Sequence, residues 1–455
     1  MNDIPDIERL TDDESLAHYG RDWTRFWKPA PSAVVFPRSS DEVAELVRWA
    51  RSEKVSLVPS GGRTGLSGGA VAPGGEVVVS FEKMRAICDL DRVEPSITVQ
   101  AGTTIGEVQH HAAENDLYYP VDWAAAESSQ AGGSVATNAG GIRVLRYGMT
   151  RDWVRGLTVV TGTGEVLELN RGLIKNNAGL DLRHLMIGSE GILGLITEVT
   201  FGLIDPPPQR SVLLLAFAGL ESIMPAFRAL RAALELSAFE FFDTASTRYV
   251  AKGSDAKFPL ETDALFYAVV EFDDPDAARQ DAALEVFEQL AEDGHVIDGL
   301  ISQSQAQAAE LWHWRESISE AIAPSTPYKN DLSVRISAVP EFLKALQRLV
   351  AERYPDFQVV WFGHIGDGNL HMNVLKPDDW SVEDFRKACE KLSPEVFALV
   401  GYYRGSLSAE HGVGLLKRDY LHLIKSETEI ELMRAVKRAF DPDGILNPGK
   451  LLKTE

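Results

Sequence analysis

The spacing of apolar residues predicts two textures of structure. After Pro37, Val43, Leu46, Val47 and Ala50 recur with a helical period, and Ser39 followed by Glu42 has the form of a capping box. The short runs Val55–Val58, Glu76–Phe81 and Ser96–Gly102 read as strands, and Thr104–Asn115 returns to helical spacing. Leu157–Leu169 reads as a hairpin turning at Gly162–Gly164. The stretch Asp205–Pro208 then interrupts the chain, because consecutive prolines disfavour both helix and central strand, and a domain boundary is expected there. From Ser211 onward strand and helix alternate. SVLLLAF reads as a strand, Ile223–Leu236 as a helix, Ala264–Phe272 as a strand and Pro275–Glu292 as a helix. That alternation predicts an antiparallel sheet backed by helices, an α+β domain. Leu311–Pro324 has helical character, and Val359–Leu375 is apolar strand on both sides of a polar turn. Near the end, Ser426 and Glu429 form a capping box ahead of Ile430, Met433, Val436 and Phe440, and Asp441-Pro442 stops that helix.

With 455 residues the chain is too long for one ordinary domain, and two or three are expected. Its 67 acidic and 45 basic residues give a formal charge of −22, which repels polyanions, so nucleic acid is not expected as a partner. The two cysteines, Cys88 and Cys389, exclude a disulfide framework and fit a reducing compartment. The acidic start MNDIPDIERL lacks the basic-then-apolar plan of a signal peptide, and no apolar run approaches the roughly 18 residues of a membrane span. A cytoplasmic location is expected.

Glycine carries the next signal. Pro59–Gly69 reads PSGGRTGLSGG, followed by GGSVATNAGG at Gly132–Gly141 and IGSEGILGLITEV at Ile187–Val199. Such loops let the backbone approach a ligand closely, and successive N–H groups can cradle a diphosphate without a cationic side chain. The spacing matches neither a Walker loop nor a Rossmann fingerprint. Three such loops close in sequence point to one extended cofactor.

PSGGRTGLSGG, GGSVATNAGG and IGSEGILG resemble the FAD-contacting loops of FAD-linked oxidases and dehydrogenases with a vanillyl-alcohol-oxidase-type fold. Members related to D-lactate, glycolate and D-2-hydroxyglutarate dehydrogenases carry loops similar to these, and the resemblance runs from about Asp22 to Lys450. It implies an FAD-binding domain of two α+β subdomains over 1–205, an antiparallel-sheet cap domain over 206–410, and a C-terminal helical segment, 411–455, that returns to the flavin. The pyrophosphate is implied on Gly61, Gly62, Arg63, Thr64 and Gly65, with Pro59, Ser60 and Ser67 beside them. Ser129, Gly132, Gly133, Ala136, Thr137, Asn138, Gly140 and Gly141 continue the site. Glu190, Gly191, Gly194 and Ile196 complete it, with Thr197 and the tail residue Asn447 as further candidates. Members with covalent FAD carry a histidine in the first loop; none stands at Gly61–Gly65, so noncovalent FAD is expected.

A second constellation lies in HIGDGNLH, with His364 and His371, and in SAEHG, with Glu410 and His411. A turn between two short strands can fold both imidazoles toward one point, and imidazole with carboxylate suits zinc, manganese, cobalt or iron. The H-E-x-x-H spacing of a zinc protease is absent. Spacing does not say which histidine is ligand and which is base. The family resemblance does: it implies His364, His371 and Glu410 as ligands of one divalent metal, zinc first, with His411 as base and Asn373 on the substrate. A metal lowers the pKa of a bound hydroxyl, a histidine removes its proton, and a flavin accepts the C2 hydride.

An acidic protein binding an acidic substrate needs local cations. Arg315 lies in the helical stretch with Ser319 one turn later on the same face, and Lys329 precedes the next strand. In the resembling D-2-hydroxyglutarate dehydrogenases this pattern receives the substrate carboxylates; here serine stands where threonine is usual, and Asn330 precedes Asp331. The expected activity is oxidation of D-2-hydroxyglutarate, with D-malate as a second diacid. The alternatives are a D-lactate or glycolate dehydrogenase, or an FAD-binding subunit without chemistry of its own. The resemblance further implies electron-transfer flavoprotein or a similar carrier as acceptor and a homodimer, while the lack of a long apolar run predicts no integral membrane segment.

Overall fold

The computed structural model describes residues 4–24, 26–253, 257–274 and 276–454. The chain divides into two compact units. One comprises 1–141, 148–206 and 410–455; the other comprises 142–147 and 207–409.

The first unit contains two sheets. Arg9–Leu10, Ala33–Val35, Val77–Ser80 and Leu57–Ser60 lie side by side in that order, the last three mutually parallel. Ile87–Asp91, Ser96–Gln100, Gly194–Gly202, Val154–Thr161 and Val166–Leu169 form an antiparallel sheet. The helix Ser40–Glu53 places Val43, Leu46, Val47 and Ala50 fully in the core, as its spacing predicts. Ser39 caps it by accepting from the Glu42 N–H at 3.2 Å, but the Glu42 carboxylate reaches past Ser39 to the N–H of Arg38 at 2.8 Å, so the box does not close. Thr104 and Glu107 do close one, at the start of the helix Ile105–Glu114. Ser426 and Glu429 close another, ahead of Glu427–Phe440. The expected hairpin turns between Thr161 and Val166, with Val160 opposite Val166.

The second unit is built on a seven-stranded sheet among the described residues. Its order is Asp298–Ile301, Arg210–Phe217, Phe266–Asp273, Leu236–Asp243, Val359–Gly363, Asn369–Val374 and Tyr328–Ser333, and neighbouring strands are antiparallel. The helix expected over Ile223–Leu236 ends at Ala233, because Leu236 opens a fully buried strand, LSAFEFFD, that the helical spacing had absorbed. The next helix runs Ala277–Glu292 from an Asp276 cap; the expected start at Pro275 lies outside the described residues. Among the described residues no helix is long and apolar enough to cross a membrane.

Side chains alternate between the two faces of a strand, and directly paired residues share a face. The registers Val212↔Glu271↔Ala238 and Phe242↔Phe362↔His371↔Asp331 therefore place Glu271, Ala238, Glu240, Phe242, Phe362, His371 and Asp331 on one face of this sheet. The apolar part of that face packs with Leu311, Trp312, Trp314 and Ile318 in one core cluster.

Candidate active site

In the first unit the glycine loops are tied together by buried polar groups. A Cβ on Gly62 would stand 1.9 Å from the Ser128 carbonyl oxygen, so only glycine lets the first loop lie against the second. One on Gly61 would meet Gln130 Oε1 at 3.4 Å and Gly133 Cα at 4.0 Å, whereas one on Gly133 would enter open space. Gln130 Oε1 is buried and has no hydrogen-bond partner among the described residues. A bare glycine cleft with an orphaned acceptor beside it fits a bound cofactor with donor groups. The Thr64 and Ser129 hydroxyls lie 3.0 Å apart, and Trp123 Nε1 donates to Ser129 Oγ at 3.0 Å. The Arg63 side chain turns to Glu82, at 3.0 Å, and over the Tyr19 ring.

Glu190 is the knot of this unit. It holds a left-handed backbone, φ 52°, and its carboxylate accepts the N–H groups of Val413 at 2.7 Å and Gly414 at 2.8 Å. Its carbonyl accepts Asn447 Nδ2 at 2.7 Å, and the same amide donates to Gly69 O at 3.0 Å. Its own N–H donates to Ala136 O at 2.8 Å. One residue thus joins all three glycine loops, the tail, and the segment directly following Glu410-His411. Burial pushes its carboxyl pKa up despite the two amides. Thr197 is fully buried and bonded to Ser40 and Thr158 O, and Ile196 is buried in its strand.

In the second unit the polar turn works as a hinge for two imidazoles. His364 follows the strand Val359–Gly363, and His371 lies inside Asn369–Val374. Gly368, at φ 91°, completes the turn where a Cβ would strike Val334 O at 2.2 Å. The two rings stand edge to face with centroids 5.2 Å apart, and a nitrogen of each lies within 4.8 Å of the other. Each Nδ1 faces a buried carboxylate: Glu240 at 2.8 Å from His364, and Asp331 at 3.8 Å from His371. A carboxylate beside Nδ1 favours the tautomer with its hydrogen there, the arrangement by which carboxylates orient metal-binding histidines. Asp331 also accepts Asn369 Nδ2 at 2.8 Å and the N–H of Ala409 at 3.0 Å. Ala409 is the residue immediately before Glu410 and His411.

Arg315 is buried beside Glu240, with Nη2 2.7 Å from Oε2 in an ion pair that is not an aligned hydrogen bond, and its guanidinium lies over the Phe362 ring. Its Nε and Nη2 have no hydrogen-bond acceptor among the described residues. Lys329 pairs with Asn373 across the ladder that pairs Asp331 with His371, so the four share one face. Burial alone lowers the Lys329 pKa, and no hydrogen bond or ion pair to its side-chain amine occurs among the described residues.

Residues 206–451 match the FAD linked oxidases, C-terminal domain, and residues 31–170 match an FAD binding domain. A D-2-hydroxyglutarate dehydrogenase of Xanthomonas citri pv. viticola is 53% identical over 452 residues, covering 99% of this chain and 95% of that protein. One from Stutzerimonas stutzeri is 52% identical over 442 residues, covering 97% and 95%. The chain belongs to the FAD-linked oxidases. It is an FAD-dependent oxidoreductase. The crystal structure of p-cresol methylhydroxylase superposes with a TM-score of 0.74 at 17% identity, over 98% of this chain and 94% of that one, and shares the expected vanillyl-alcohol-oxidase-type fold.

Within this family member, the expected single helix through Arg315 and Ser319 is broken. The helix Gln305–Glu316 stops at Ser317, and Ser319 sits exposed in the short helix Ile318–Ala321 while Arg315 is buried. Sequence reasoning passed over Glu240. The available signal was a lone carboxylate in the apolar run AFEFF, where burial demands a partner.

Proposed function

We propose that this enzyme oxidises the C2 hydroxyl of D-2-hydroxyglutarate to the 2-oxo acid. The observation that carries the substrate is the Lys329–Asn373 pair, one step along the ladder from Asp331–His371. A lone, half-buried amine there stands roughly 7 Å along the strand from the imidazole, where a second carboxylate finds a donor and the methyl group of lactate does not. The relatives at 53% and 52% identity bear the name of this reaction.

His364, His371 and Glu410 would hold one divalent metal, zinc or one of manganese, cobalt and iron, and the glycine loops would hold FAD without a covalent bond. When bound, FAD supplies the hydride acceptor and the metal supplies Lewis acidity at the hydroxyl. Glu240 and Asp331 keep the two imidazoles in the tautomer that presents Nε2. Arg315 forks onto the C1 carboxylate, Lys329 meets the distal one, and Asn373 donates to the substrate. His411 removes the hydroxyl proton as C2 gives up its hydride. The electrons then pass to a carrier such as electron-transfer flavoprotein, and the enzyme works in the cytoplasm, with a homodimer as its assembly.

The test is anaerobic mixing of flavinated, metal-assayed protein with D- and L-2-hydroxyglutarate, malate, lactate and glycolate. Fast bleaching by D-2-hydroxyglutarate with slow lactate supports the reading; faster bleaching by D-lactate or glycolate discards Lys329 as a carboxylate donor. His411→Ala should slow bleaching with FAD retained, and Glu410→Ala should lower the metal content.

A further inference from the structure

The second unit contains a buried carboxylate that no step above uses. Glu271 lies on the same sheet face as Glu240 and His371. Its Oε1 accepts Arg143 Nε at 2.8 Å and Ser237 Oγ at 2.6 Å; its Oε2 accepts Arg143 Nη2 at 3.0 Å and Trp312 Nε1 at 3.0 Å. Burial works to raise its pKa, but the Arg143 fork, Ser237 and Arg210 outweigh it and hold the carboxyl below the ordinary glutamate value. Both partners matter for where they lead. Arg143 belongs to Ile142–Tyr147, the strap that leaves the second glycine loop at Gly141 and joins this unit. The strap is pinned further by Arg146 to Asp273 at 2.9 Å and by Arg210 to the Tyr147 hydroxyl at 2.9 Å. A Cβ on Gly366, in the turn between the two histidines, would meet Leu145 of this strap at 3.2 Å. Trp312 lies in the helix Gln305–Glu316, three residues before Arg315 and therefore on the same face, and Arg143 lies over its ring.

We propose that Glu271 is a positioning residue for substrate binding, which fixes the Arg315 helix through Trp312 and locks that helix to the Ile142–Tyr147 strap through Arg143. The assignment rests on Arg315 receiving a substrate carboxylate. A deletion of Glu271's charge moves Arg315 without touching substrate, so it weakens binding of the acid more than it slows the reaction of bound acid.

Glu271→Gln, Trp312→Phe, Arg315→Ala and the double variant E271Q/R315A are compared by anaerobic flavin reduction with D-2-hydroxyglutarate, reading half-saturation and limiting rate separately, with flavin content measured first. The expected result is a tenfold or larger rise in half-saturation for E271Q, a limiting rate within threefold of the parent, and full flavin content. W312F, which loses the ring N–H donor together with part of the buried ring, should rise severalfold. The double variant should match R315A alone, since both changes remove the same contact. Multiplying factors in the double variant, or a reduced limiting rate with unchanged half-saturation, overturns the assignment. Where E271Q does not accumulate, W312F decides: a severalfold rise supports the role and no change overturns it. An unchanged half-saturation in R315A instead removes the substrate reading beneath the proposal, an outcome the single variants of Glu271 and Trp312 cannot mimic.

Discussion

Glu190 and Glu240 are both buried carboxylates, and they are neutralised in opposite ways. Glu190 is met by backbone N–H groups of Val413 and Gly414, whereas Glu240 is met by the Arg315 guanidinium and the His364 ring. Backbone donors belong to the chain's path, so a carboxylate that binds them fixes where loops run. Side-chain donors can be aimed, so a carboxylate that binds them fixes how reacting groups point. In the first unit buried charge thus holds loops together, and in the second it aims the side chains to which the proposed function gives the chemistry.

The sharpest way to break this contrast is Glu190→Gln. Its amide would turn an N–H toward the N–H of Val413 or Gly414, leaving buried donors unpaired at a cost of about 1–3 kcal/mol. Loss of most bound FAD and a lower Tm are expected; full flavin content with an unchanged melt would refute the backbone role. Glu240→Gln should do the reverse. FAD stays, while metal affinity or kcat/KM drops roughly 10–100-fold, the usual effect of removing a carboxylate behind a ligand histidine. Metal titration and steady-state kinetics read it, and a Glu240→Gln protein that loses flavin would erase the distinction. Gly133→Ala sharpens the first half. Its Cβ meets no protein atom within 4 Å, so the apoprotein should melt as the parent does while FAD binds several-fold more weakly. Equal FAD affinity would place the cofactor elsewhere. The smallest effect concerns Lys329. Its pKa is lowered by burial, so its charge is lost at a lower pH than an exposed lysine's, and KM for D-2-hydroxyglutarate should rise on an alkaline limb below pH 10.5. Lys329→Arg keeps the charge and should abolish that limb; an identical limb in both would assign it to another group.

The same contrast explains what could be read from sequence. Backbone devices announce themselves through residue type: glycine loops, the Ser39 and Ser426 caps and the polar turn after His364 are local, and their positions follow from rules that act over a few residues. The α+β texture followed from spacing for the same reason. Side-chain devices depend on register. Glu240 was hidden because Leu236–Asp243 lacks polar alternation, being buried on both faces, and its first residue had been read into the preceding helix. Glu271 sat near the end of the stretch Ala264–Phe272, read only as a strand, and its partner Arg143 lies 128 residues away. Arg315 and Ser319 show the converse error: four-residue spacing put them on one face only for as long as the helix continued, and it stops at Ser317. That Ile142–Tyr147 would leave its sequence neighbours for the second unit had no local signal at all.

Leu57–Ser60 is the outer strand of its sheet, and its free side is covered by the tail: Leu57 donates to Ile445 O at 2.8 Å, and Asn447 donates back to Leu57 O at 2.8 Å. During synthesis that edge, with the loop it feeds, waits through almost four hundred residues of translation for its cover. An unpaired apolar edge held open for that long invites pairing with another nascent chain. The cleft proposed for the cofactor is therefore finished last, and truncating the chain before Ile445 should yield insoluble protein rather than a soluble enzyme with weakened flavin binding.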